Sequence, residues 1–176
     1  MKRAILLLLA AVCLRAEVVN SAANGFTVRT TLEIKAAPAD VYQRITRDIG
    51  KWWSKDHTFS GDPANLSIDA RPMGCFCEKL PDGGGVRFME VVLVAPGKRI
   101  VLSGALGPLI TLATSGTMEI SLTPAEGGTK LQMTYSVTGY LATGFQSWAP
   151  TVDKVLAEQF TRLKNYIEHG DAAPKP

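Results

Sequence analysis

Three side chains in this chain have the chemistry for acid–base work: Glu90, His57 and Tyr135. Glu90 lies in an apolar run, Val86 to Ala95, and by strict alternation shares a face with Phe88, Val92 and Val94. If that face is inward, Glu90 is a buried carboxylate with a raised pKa, a candidate acid or ligand anchor. If it is outward, Glu90 is an ordinary surface acid. His57 is one of two histidines and could exchange a proton near neutral pH. No carboxylate or serine stands at motif spacing to it, and a structural role is the plain alternative. Tyr135 falls on the inward positions of its strand, as does Thr30, and a buried hydroxyl needs a partner. Met73, Cys75 and Cys77 alternate along one strand and share a face. They are weak candidates for a soft metal such as Cu(I), since no closed four-ligand set accompanies them. Free buried thiols, or a bridge between Cys75 and Cys77, are the alternatives. In an extended strand such a bridge spans roughly 6.5–7 Å between Cα atoms, at the limit for a disulfide.

The elements that must position these groups follow from periodicity. Val152, Val155, Leu156, Phe160, Leu163 and Ile167 recur at helical spacing between Ser147 and His169, giving a helix of roughly 35 Å with one apolar face. Pro150 is tolerated in its first turn and Gly170 stops it. Residues 26–35 alternate apolar and polar, as do 117–123 and 131–137, so each predicts a half-buried strand. Pro38 opens a short helix with Val41, Tyr42, Ile45 and Ile49 on one face, followed by the pair Trp52-Trp53. Adjacent residues rarely both face inward, so one tryptophan is assigned to the core and the other to the rim of an opening. His57-Thr58-Phe59 is read as a short strand. Glycine-containing turns at 81–85, 96–98 and 126–128, the first two opened by Pro81 and Pro96, join further strands. The uncharged connection from Gly104 to Ser115 and the connection from Gly139 to Ser147 place Leu106, Leu109, Tyr140 and Phe145 where they could form the mouth of a cavity.

The expected fold is therefore α+β: an antiparallel sheet of about six to seven strands, curved around a long C-terminal helix. Before it stand Lys2-Arg3 and the apolar run from Ala4 to Leu14, a signal-peptide pattern too short to span a bilayer. A retained anchor is the alternative. Cleavage is placed after Ala16 or after Ala23, the domain at 24–169, and a disordered tail at 170–176. The 19 basic and 16 acidic residues give the precursor a charge of +3. Loss of residues 1–16 takes Lys2, Arg3 and Arg15 and no acid, so the basicity belongs to the leader. Nothing then favours nucleic acid or an anionic membrane surface.

The order of elements resembles the helix-grip fold of the START-like, or SRPBCC, superfamily. The branch it resembles is that of the heat-shock ATPase activator C-terminal domain and polyketide-cyclase-like proteins. The residues that carry the resemblance are the opening from Leu32 to Tyr42, the Trp52-Trp53 pair, the turn Val94-Ala95-Pro96-Gly97-Lys98-Arg99, and the C-terminal helix. It implies a cavity between sheet and helix that takes a hydrophobic or amphipathic small molecule. A leader argues against a cytosolic ATPase as partner. The expected function is that of an exported, cofactor-free, monomeric binding protein in the periplasm or outside the cell. Thr30, Trp52, Trp53, Phe88, Leu106, Leu109, Tyr135, Tyr140, Val152, Leu156 and Phe160 are its candidate ligand contacts. Two alternatives remain open: a cyclase, dehydratase or hydrolase using Glu90, His57 or Tyr135, and a cell-envelope protein-interaction module.

Overall fold

A computed structural model describes residues 15–173 of the 176. The run from Ala4 to Leu14 and Cys13 lie outside the described residues. The strands, in chain order, are β1 (Arg15–Ala22), β2 (Gly25–Ile34), β3 (Leu66–Ile68), β4 (Cys75–Lys79), β5 (Gly85–Ala95), β6 (Arg99–Gly104), β7 (Ala113–Ala125) and β8 (Gly128–Tyr140). They form one antiparallel sheet in the order β1-β2-β8-β7-β6-β5-β4-β3. Two helices, α1 (Pro38–Arg47) and α2 (Ile49–Trp52), follow β2, and α3 (Trp148–His169) closes the chain. The architecture is α+β, with α3 lying on the concave face of the sheet in a helix-grip-like arrangement.

The concave face is built by simple alternation. Phe26, Val28, Thr30, Leu32 and Ile34 of β2 are buried, and in β8 so are Leu131, Met133, Tyr135 and Val137. Their register pairs Val28 with Tyr135 and Thr30 with Met133, so the same face continues across both strands. Onto it α3 sets Leu156, Phe160 and Leu163, each at most 2% exposed. Burying side chains of this size contributes roughly 1.5–3 kcal/mol apiece. The helix end is fixed to β2 by polar bonds: Lys164 donates to the Glu33 carbonyl, and the Lys35 amide donates to Glu168. Gly170 ends the helix at φ 77°, a left-handed conformation that glycine adopts without a side-chain clash.

Four readings are corrected by the structure. The sheet has eight strands rather than six or seven, because residues 15–22 form β1 against β2. Most of β1 is solvent-exposed at the sheet edge, so it carries no alternating pattern. His57 ends a 3-10 turn, Lys55–His57, and not a strand. Ala172 is buried in the core, so the chain beyond Gly170 is packed at least that far. Cys75 and Cys77 form a disulfide with Cα atoms 5.4 Å apart, which takes both sulfurs from any metal. That separation is shorter than an ideal extended strand gives and lies within bridging range.

Candidate ligand-binding cavity

Where β6 and β7 lie side by side, Gly104 faces Gly116, and the concave face has no side chain there. A Cβ on Gly116 would lie 2.8 Å from the Tyr135 ring, and one on Gly104 would meet the Phe88 carbonyl at 2.3 Å. Gly116 therefore leaves room for the Tyr135 ring, and Gly104 allows the close approach of the β5 backbone. The Tyr135 hydroxyl accepts a hydrogen bond from the Leu106 amide at 3.3 Å. That bond holds the start of the connection between β6 and β7, whose middle is a 3-10 turn, Gly107–Thr111. Leu106, Pro108 and Leu109 fold over the open ground as one wall of a cavity.

The cavity has a volume of about 410 Å³, within the range of roughly 300–1,000 Å³ typical of small-molecule sites. Its floor is aromatic. Phe76 and Phe88 pack with centroids 5.1 Å apart, Trp53 meets Phe76 at 5.4 Å, and Phe59 stacks on Phe88 at 5.9 Å. Val152, Val155 and Leu156 of α3, with Trp148 at its start, supply the opposite wall. Polar residues in the lining are few: Asp56, His57, Thr58, Tyr135 and Thr151. No Lys or Arg lines it.

Several bonds hold the wall in place. Trp53 donates its indole N–H to the His57 carbonyl at 3.0 Å, so that donor is already engaged. The Ser54 amide donates to Gln159 Oε1 at 2.8 Å, and Arg162 donates to the Trp52 carbonyl at 2.9 Å, which ties the tryptophan segment to α3. Glu78, 2% exposed, accepts from the amides of Phe59 at 3.0 Å and Ser60 at 2.6 Å. Phe59 itself is half exposed, 52%, and stands at the opening. Burial pushes the Tyr135 hydroxyl well above the usual range for tyrosine, so it stays protonated. His57 Nε2 lies 3.9 Å from Glu158, and both are partly exposed.

Trp53, His57, Phe88, Leu106, Leu109, Tyr135, Val152 and Leu156 line the cavity. The other sequence candidates lie elsewhere. Trp52 is core, packing on Phe160 at 6.1 Å and donating to the Arg44 carbonyl. Phe160 is thus part of the seal beneath the cavity. Thr30 is fully buried, with its hydroxyl unpaired, but takes no part in the lining. Tyr140 is 76% exposed, and Phe145 is buried against Phe26. Met73 is 86% exposed at a positive φ of 68°. Glu90 points outward, its side chain 41% exposed and paired with Arg87 at 2.9 Å. Strict alternation puts Arg87 and Glu90 on opposite faces. The shift in register across Phe88 and Met89 inserts one residue, which buries both of those and turns Arg87 and Glu90 to the same outer face.

Phe76, Glu78 and Trp148 were not singled out from sequence. For the first two the signal was present: if Cys75 and Cys77 face outward, Phe76 and Glu78 face inward. Among the described residues no group of three or more His, Cys, Asp or Glu is placed to hold a metal ion. A second hollow, of about 330 Å³, lies over the ends of β1, β2, β7 and β8 and is lined largely by outward Ser, Thr and Asn side chains. It lacks the aromatic enclosure of the first.

Comparison with known proteins gives the fold and no more. No family model matches the chain, and no curated protein matches it. Among solved structures it is similar to an uncharacterized protein from Rhizobium leguminosarum, with a TM-score of 0.60 and 16% identity over 85% of this chain and 99% of that one. A protein from Mesorhizobium loti gives 0.59 and 20% over 82% and 98%. The Aha1 dimer from Colwellia psychrerythraea, solved in solution, gives 0.55 and 19% over 82% and 97%. At these identities the likeness concerns the path of the backbone.

Proposed function

We propose that this protein binds an apolar or amphipathic small molecule in the cavity between the sheet and α3, as a START-like protein. The observation that carries this reading is a 410 Å³ space walled by six aromatic side chains, Trp53, Phe59, Phe76, Phe88, Tyr135 and Trp148, and by the apolar face of a helix. Left unoccupied, an apolar-lined space of that size keeps hydrophobic surface against water, which a bound molecule would cover. A binding role accounts for keeping it. Glu90 has no part in this reading, because its carboxylate faces solvent beside Arg87.

The reading also takes the protein to be an exported monomer. On that view cleavage after Ala16 keeps nearly all of β1, whereas cleavage after Ala23 discards a strand paired along its length with β2. Sequencing the N-terminus of the protein from its native host should give Glu17 first.

Native mass spectrometry of protein purified from that host tests the binding role. The expected spectrum contains a population heavier than the polypeptide by a lipid-like adduct, which organic extraction removes. A single species at the polypeptide mass, together with failure to bind any apolar probe, would refute the proposal.

A further inference from the structure

Resting on the binding role just proposed, we infer that the ligand is electrically neutral and carries a hydrogen-bond acceptor oxygen, of carbonyl type, on its buried end. Tyr135 carries the first half of this. Tyr135 is one of the residues lining the cavity, and its buried hydroxyl uses one lone pair on the Leu106 amide. Its own O–H hydrogen has no acceptor among the described residues. A buried donor left unpaired is costly, and an acceptor on a bound molecule removes that cost. The donor cannot turn away to a better partner, because the ring is wedged over Gly116 and the hydroxyl is held by Leu106.

The absence of cationic lining carries the second half. The cavity contains no Lys or Arg, and the one acid on its wall is Asp56. A carboxylate, sulfonate or phosphate taken into this space would be desolvated with no counter-charge and would face Asp56. His57 Nε2 lies 3.9 Å from the Glu158 carboxylate, a further negative charge beside this wall. Ketones, esters, lactones and quinone-like molecules fit this pattern. Ionised fatty acids, with the head group inward, do not.

Displacement of Nile red, a neutral dye, by three naphthalenes of one shape tests the inference: 2-acetylnaphthalene, 2-ethylnaphthalene and 2-naphthoate, at neutral pH. In the wild-type protein the ketone should bind about twofold to tenfold more tightly than the ethyl compound, the usual worth of one hydrogen bond. The naphthoate should bind at least about tenfold more weakly than the ketone. In Tyr135→Phe the preference for the ketone over the ethyl compound should vanish. A naphthoate that binds as tightly as the ketone, or a ketone preference that survives Tyr135→Phe, would overturn the inference while leaving the binding role intact. Absence of all binding would remove both. The wild-type comparison of ketone with naphthoate stands even if Tyr135→Phe weakens the fold, and a thermal melt of that variant reports whether it has.

Discussion

Glu78 offers the sharpest mechanical test of how the cavity mouth is built. Its carboxylate, 2% exposed, receives two backbone amides, Phe59 at 3.0 Å and Ser60 at 2.6 Å. Hydrogen bonds to a charged group contribute about 1.5–3 kcal/mol each. Glu78→Ala removes both acceptors. Because Ser60 lies near the surface, water can reach part of the gap, which sets the loss at about 3 kcal/mol rather than at the upper limit. For a chain of this length that corresponds to a fall in Tm of about 6–12 °C. Glu78→Gln keeps one oxygen acceptor and should lose about half as much. Urea unfolding monitored by tryptophan fluorescence measures both. Nile red affinity should fall with stability, because Phe59 is released from Phe88. A Glu78→Ala variant within about 0.5 kcal/mol of wild type would refute this account, as would a Gln variant no better than the Ala one.

Two further outcomes follow from other contacts. Burial, and then the neighbouring Glu17, raise the Asp153 carboxyl above its ordinary value, and one of its oxygens is buried without a partner. A carboxyl raised on folding contributes stability while protonated, complete below the unfolded value of about 3.9 and lost as pH rises through the folded one. Asp153→Asn should therefore be more stable than wild type at neutral pH, and that advantage should disappear near pH ~3. An advantage independent of pH would contradict the assignment. The Cys75–Cys77 bridge closes a very short loop, so its entropic contribution is about 1–2 kcal/mol. A chain beginning at Glu17 should show no free thiol until reduced and two afterwards, and Cys75→Ser with Cys77→Ser should remain folded. Two free thiols in the oxidised protein would contradict the bridge.

Much of the fold was legible because it rests on period. β2, β7, β8 and α3 repeat apolar residues at steps of two or of three and four, and burial follows those steps. What the sequence hid lies where the period breaks. Bulges in β5 move Met89 inward and Glu90 outward, and nothing in a run as uniformly apolar as Val86 to Ala95 marks which residue is the extra one. β1 is an edge strand with little to bury, so it left no stripe and was absorbed into the leader. The cavity is assembled from segments far apart in sequence, residues 53–59, 106–109 and 148–156, which become neighbours only in the folded chain. The helix stripe divides differently from its reading in sequence. Val152, Val155 and Leu156 face the cavity, and Phe160 already belongs to the core beneath Trp52.

The central claim is that the space beneath α3 receives a ligand. Titration of Nile red into wild-type protein and into Val152→Trp tests it most directly. Val152 is half-buried on α3 and faces the cavity, so a larger ring there fills the space while the helix remains seated. Wild type should bind one dye saturably with a blue-shifted emission, and Val152→Trp should bind at least about tenfold more weakly with Tm little changed. Equal affinity in the two proteins, or no saturable binding to wild type, would contradict the account.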